Sequence, residues 1–305
     1  MKKLLLIIVI VSSLAISCSS PSDRDSQTTP QVPAVQVSNG SFGDYWYAGK
    51  AELSSYALHQ ARYGQIHEGT AVLIFVTEPF SKSKQVKLDH AGQVGADEQT
   101  VLKLNFTKKF NTGIYPYSMM LSSFTPIERE QYPNTPKVTM SSQEWCGQVY
   151  SQMNLRKNSY DLHSYSYFEQ EGDINIKVKK ALLEDEVWNR IRLDYKSLPI
   201  GEIEIVPGLF YTRLLHKNLE AVKATASLSL YDNRAAYIIK YPSRELSIFF
   251  EVEFPHKILG WKEIYDGLGG KQVTTSAELD KTILLDYWNR NKNEDSHLRD
   301  SLNLQ

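Results

Sequence analysis

The chain has 305 residues, with 34 Lys+Arg against 35 Asp+Glu. This near-neutral balance, with no basic cluster able to track phosphates, argues against nucleic acid as a partner. Its two cysteines, Cys18 and Cys146, are too few for a disulfide-stapled small fold, and once Cys18 is modified no intramolecular pair remains.

Lys2 and Lys3 precede an apolar run from Leu4 to Val11, then Ser12-Ser13-Leu14-Ala15-Ile16-Ser17-Cys18. A charged n-region, an apolar h-region and a small-residue cleavage site predict a signal peptide over residues 1–17. The run is too short for a spanning helix, which needs about 20 apolar residues. Ala15-Ile16-Ser17-Cys18 resembles a lipobox, where bacteria attach diacylglycerol to the cysteine before cleavage. It departs from the usual Leu at the first position and Gly or Ala at the third. The resemblance implies a lipoprotein with its lipid on Cys18 and held to a membrane by acyl chains such as palmitate. One chain gives marginal binding and two or three give stable attachment. Ser19, where aspartate would signal inner-membrane retention in some bacteria, points to the outer membrane of the cell envelope. Loss of Lys2 and Lys3 leaves the exported chain two charges more negative.

Residues 18–40 are rich in Ser, Pro, Thr and Gln and poor in large apolar residues, and so read as a disordered tether with an r.m.s. reach of roughly 25 Å. Residues 41–288 then form a single β-rich exported domain, because β architectures commonly reach about 200–250 residues as one unit. Two-residue alternation dominates. Tyr45 to Gln60 and Gly69 to Glu78 are expected as long paired strands around the turn Arg62-Tyr63-Gly64. Further strands are expected at Val101–Phe106, Tyr115–Phe124, Leu162–Phe168, Gly201–Val206 and Leu219–Leu230. Ala235–Tyr241 and Glu245–Phe254 flank a Tyr241-Pro242-Ser243-Arg244 turn and should form a hairpin, with Leu246, Ile248, Phe250, Val252 and Phe254 on one face. One helix is expected from Lys180 to Leu193, where Leu183, Val187 and Ile191 repeat at four-residue spacing. Glu184, Asp185 and Glu186 lie at its start and Arg190 and Arg192 at its end, in accord with the helix dipole. Val273–Trp288 fits a strand better than a helix, and the polar tail 289–305 is expected to fray. The fold class is therefore mainly β: a strongly curved antiparallel sheet or half-barrel with a helix packed on its concave side. That concavity is either filled by side chains or open to an apolar ligand. The abundant aromatic residues fit core packing better than a binding cleft.

The runs Tyr45-Trp46-Tyr47-Ala48-Gly49-Lys50-Ala51-Glu52, Phe110-Asn111-Thr112-Gly113-Ile114-Tyr115-Pro116-Tyr117-Ser118, Gln143-Glu144-Trp145-Cys146-Gly147 and Leu259-Gly260-Trp261 resemble a family of uncharacterised lipoproteins from Gram-negative bacteria. Some members carry the label "septum formation inhibitor Maf". That label implies a cytoplasmic nucleotide pyrophosphatase whose opening Ser-x-Ser-Pro-Arg-Arg motif has no counterpart in residues 41–80, so the label is an error of transfer. The half from Gly201 to Trp261 is also similar in pattern to secreted half-barrel proteins of the periplasm.

The residues do not point to catalysis. Cys146 would need a histidine such as His163 beside it to act as a nucleophile, and packing explains a free cysteine better. His59, His67, Glu68, Asp89 and His90 could converge, but their spacing matches no metal motif. The pairs Glu169/Glu171 and Glu202/Glu204 each share a strand face and read as solvated, as do Lys108-Lys109 and Lys179-Lys180. No catalytic, cofactor or metal residue is assigned, and no phosphate loop or nucleophile elbow is present. The expected role is a non-enzymatic binding or scaffold module for a lipid, envelope component or protein partner. The alternative is an envelope hydrolase with an unrecognised site.

Overall fold

The computed structural model describes residues 39–267 and 270–304. The expected signal peptide over 1–17, Cys18 and the expected tether as far as residue 38 lie outside the described residues, and Asn39 and Gly40, assigned to that tether, are instead helical. No helix among the described residues is long and apolar enough to cross a membrane.

Fifteen strands form one open sheet: β1 (Ala51–Arg62), β2 (Gln65–Ser81), β3 (Glu98–Thr112), β4 (Tyr115–Pro126), β5 (Lys137–Glu144), β6 (Gly147–Leu155), β7 (Ser159–Ser166), β8 (Ile174–Lys179), β9 (Leu182–Leu183), β10 (Gly201–Val206), β11 (Val222–Tyr231), β12 (Arg234–Tyr241), β13 (Arg244–Glu251), β14 (Ile258–Asp266) and β15 (Gln272–Leu285). Among the described residues three α-helices accompany them: α1 (Asn39–Trp46), α2 (Glu184–Asp194) and α3 (Leu209–Leu214). The spatial order runs β8 to β1 and then β15 back to β9, so the first and last strands in sequence lie side by side at the centre. Every pairing is antiparallel except the short β9–β10 contact. The two sheet edges, β8 and β9, are joined by only Lys180 and Ala181, and β8 has no partner beyond β7. The sheet therefore curls back toward itself and leaves a seam beside β8.

The curved antiparallel sheet with a helix on its concave side follows the sequence reading. On β13, Leu246, Ile248 and Phe250 are buried while Phe249 is half exposed, as two-residue alternation requires. Val187, Trp188 and Ile191 of α2 join the same core as Phe75, Leu104 and Phe106, so the helix fills much of the hollow.

Several details differ from the expectations. Tyr45–Lys50 is not strand: α1 begins at Asn39 and ends at Trp46, whose ring is buried against Phe75. Helix α2 starts at Glu184 rather than Lys180, because Leu182–Leu183 pair with β10 first. The strand beginning at Leu219 starts three residues later, at Val222, and the one ending at Phe254 closes at Glu251. Five strands, β5, β6, β8, β9 and β14, have no counterpart among the expected ones. The tail does not fray: Asn293–Leu302 winds into 3-10 turns, and Leu302 is buried with Ala51, Leu53 and Val76 on the outer face of the sheet.

Candidate functional site

Strand directions place the β1–β2, β3–β4, β5–β6 and β7–β8 turns at one end of the sheet, together with α3 and the loop after it. Two cavities open there. The larger, of about 690 Å³, lies along the seam and is lined on the sheet side by Met140, Leu162, Ile174 and Ile176 and on the other by Leu209 and Leu219. That volume falls within the range of small-molecule pockets, roughly 300–1,000 Å³. Ile174, Ile176 and Val178 share one face of β8. Val178 is buried, whereas Ile176 is 43% exposed because nothing packs over it at the open end. Lys179 of β8 reaches Glu204 of β10 at 2.6 Å, a pair that ties the opposite end of the seam.

The second cavity, of about 490 Å³, is more polar and is lined by Arg62, Tyr63, His67, Tyr115, Glu144 and Cys146, among others. Arg213 and His216 line both cavities. Arg213 donates to Glu144 Oε1 at 2.8 Å and to Glu171 Oε1 at 2.8 Å, and His216 Nδ1 lies 2.6 Å from the same Glu171 oxygen. Burial works against the Glu171 carboxylate, but the Ser166 hydroxyl, His216 and Arg213 together hold its pKa below the usual range.

Behind these cavities the core carries an unusual charge load, much of it on or facing α2. Arg192 grips Glu52 through both oxygens at 2.5 and 2.6 Å, and it also packs over the Trp46 and Phe75 rings. Burial alone would raise the Glu52 carboxyl, but Arg192 and the Tyr45 hydroxyl hold it below its ordinary value. Arg244 binds Glu184 through two nitrogens and Glu263 through Nε at 2.7 Å. Beside them Asp185 accepts the backbone N–H of Leu209 at 3.1 Å, which anchors the start of α3. Burial, reinforced by the neighbouring Glu184 charge, raises the Asp185 pKa to about 8. Lys108 is buried among Phe106, Phe210 and Trp261, and that burial pushes its pKa down. A cavity of about 20 Å³ between these groups has room for no more than a single water.

Cys146 is exposed in the β5–β6 turn, which overturns its reading as a packed core thiol. Its backbone N–H donates to the Tyr115 hydroxyl at 2.9 Å. Among the described residues no histidine hydrogen-bonds its sulfur: His67 donates to the Arg62 carbonyl and His216 is engaged by Glu171. His163 pairs with Gln152 on β6. Of the scattered metal candidates, His59 faces Glu68 across β1 and β2, while Asp89 and His90 lie in the β2–β3 connection at the other end of the sheet. No group of three such side chains that could hold a metal occurs among the described residues. Glu171 is not on a strand face but in the β7–β8 loop, paired with Arg213. Lys108 is not solvated, because it continues the inward face of β3 set by Leu104 and Phe106.

Sequence reasoning did not single out Arg62, Arg213 or Arg244. It placed Glu184, Asp185 and Arg192 on α2 in accord with the helix dipole, and the structure buries all three. A usable signal existed for that helix: Leu183, Val187 and Ile191 define a narrow stripe, and a helix lying inside a curved sheet must bury its flanks as well.

No known protein family matches the chain, and no curated protein matches it. Among solved structures, a β-barrel-like protein of the domain of unknown function DUF1849 from Brucella abortus aligns with 77% of this chain and 97% of its own. The TM-score is 0.36 at 7% identity, a likeness that speaks to neither ligand nor activity. The fold and cavities define a class by themselves: an open, curled β sheet filled by an internal helix and hollow at its seam.

Proposed function

We propose that the protein is a non-enzymatic cell-envelope lipoprotein that holds the apolar part of a lipid or other envelope component in the seam cavity. The observation that carries this reading is the inward row of β8, where Ile174 and Ile176 line a cavity of about 690 Å³ that α2 and α3 leave unfilled. Apolar area kept from water stabilises a complex by about 25 cal/mol per Å², so an apolar chain gains by covering this row. An unpaired edge strand bearing two half-exposed isoleucines would otherwise be an aggregation hazard.

The test is titration of the full chain with N-phenylnaphthylamine, a neutral apolar fluorophore, alongside Ile176→Glu. Saturable binding by the parent chain that weakens by roughly tenfold in the variant is expected, since a buried carboxylate costs far more than a lost methylene. Equal binding by both would place the apolar site elsewhere. The envelope address rests on residues 1–19. If lipid on Cys18 holds the protein at the outer membrane, Cys18→Ala moves it from the membrane pellet to the soluble fraction; a variant that stays in the pellet refutes that attachment.

A further inference from the structure

We infer that the smaller cavity is an anion site, centred on Arg62, that receives the phosphate or carboxylate head of the molecule whose apolar chain occupies the seam. This inference rests on the seam reading for the tail and stands on separate residues for the head. Four arginines are buried among the described residues: Arg62, Arg192, Arg213 and Arg244. Arg192 has Glu52, Arg213 has Glu144 and Glu171, and Arg244 has Glu184 and Glu263. Arg62 has no carboxylate partner among the described residues. Its Nη1 donates to the Leu214 carbonyl, its Nη2 reaches the Tyr63 hydroxyl at a long 3.4 Å, and its Nε has no partner. A buried cation without a counter-charge is costly, and a ligand anion relieves that cost.

The surroundings are built to hold this guanidinium in place. Tyr63 adopts φ 52°, a left-handed conformation that non-glycine residues rarely take, in the tight turn with Gly64. That turn sets the Tyr63 ring 4.4 Å from the guanidinium carbon, and the Tyr63 and Tyr117 hydroxyls meet at 2.8 Å. The one carboxylate lining the cavity, Glu144, is taken up at both oxygens, by Arg213 at 2.8 Å and the Tyr115 hydroxyl at 2.9 Å. His67, Gln65 and Thr112 add polar groups to the wall. Because Arg213 and His216 line both cavities, a single molecule with an apolar tail and an oxyanion head spans the two.

The experiment is isothermal titration of the full chain with hexadecyl phosphate, hexadecanol and inorganic phosphate. Two variants accompany the parent: Arg62→Gln, and Gln65→Glu on the exposed wall, where no core packing changes. Hexadecyl phosphate is expected to bind more tightly than hexadecanol. Both variants should weaken it by roughly tenfold to a hundredfold, the size of one charge-assisted contact, and leave hexadecanol within about twofold. If hexadecanol binds and the phosphate head adds nothing, the seam reading stands and the anion site is refuted. If inorganic phosphate binds in an Arg62-dependent way while neither long-chain molecule does, the anion site stands alone and the tail assignment is overturned. Loss of hexadecanol binding in Gln65→Glu would show that the head and tail sites are not separable as inferred. No binding by any of the three refutes both.

Discussion

Asp185→Asn offers a sharp test of how the core is held. In the native protein the Asp185 carboxyl is raised from 3.8 to about 8, first by burial and then by the Glu184 charge. Glu184 is held by Arg244 and the Tyr241 hydroxyl, and its charge opposes ionisation of Asp185. Because the folded pKa exceeds the unfolded one, the native state binds the extra proton between these two values. Its stabilising contribution is complete below about pH 4 and is lost as pH rises through about 8. Each pH unit in that window changes stability by about 1.4 kcal/mol, so the parent chain should lose about 2–3 kcal/mol relative to Asp185→Asn between about pH 5 and pH 7. Asparagine keeps the acceptor for the Leu209 N–H and the shape of the side chain, and it cannot ionise. Urea denaturation of both proteins at several pH values measures the difference directly. Parallel curves, with no pH dependence in the difference, would refute the assignment of the proton to Asp185.

Two further substitutions probe the same interior. Glu52→Gln strands Arg192 without its counter-ion and should cost about 3–5 kcal/mol in denaturation midpoint analysis, while adding Arg192→Met should restore most of the loss. Gly208→Ala would set a methyl carbon 2.5 Å from Glu184 Oε1 and 3.1 Å from Asp185 Oδ1, displacing the anchor of α3. A loss of about 1–3 kcal/mol by thermal unfolding is expected, together with weaker binding in the seam that α3 lines.

Much of the sheet is legible because its strands alternate cleanly. The β12–β13 hairpin shows why: Pro242 and Ser243 set the turn, and Leu246, Ile248 and Phe250 mark the inner face. Two of the strands that lack a sequence signal carry small polar residues on that face. On β5 and β6, Ser142 and Ser151 continue the rows begun by Val138, Met140, Val149 and Met153, so the apolar contrast fades. Edge strand β8 has little burial to record. Val273–Trp288 fits a strand by its β-branched and aromatic residues, and its pairing with both β1 and β14 makes it one over 272–285.

The candidate site was less legible than the fold. Arg62 reads locally as the residue before a turn, and only the approach of Leu214, from 152 positions away, buries it. Lys108 looks like a solvated strand end when β3 is stopped at Phe106; the strand runs on to Thr112 and carries the lysine inward. The charges at the start of α2 satisfy the helix dipole wherever the helix lies, so they gave no sign that Arg244 would pair with Glu184 inside the sheet. The hollow at the seam depends on what α2 and α3 fail to cover, a property of packing rather than of any motif.

The central claim is that the seam beside β8 holds an apolar chain. Photo-crosslinking the full chain with hexadecanol bearing a diazirine in mid-chain, followed by peptide mapping, tests it most directly. The account predicts adducts on Leu162, Ile174, Ile176 and Leu219, which line that cavity. Adducts confined to exposed apolar residues elsewhere, such as Leu230 and Leu284, would contradict it.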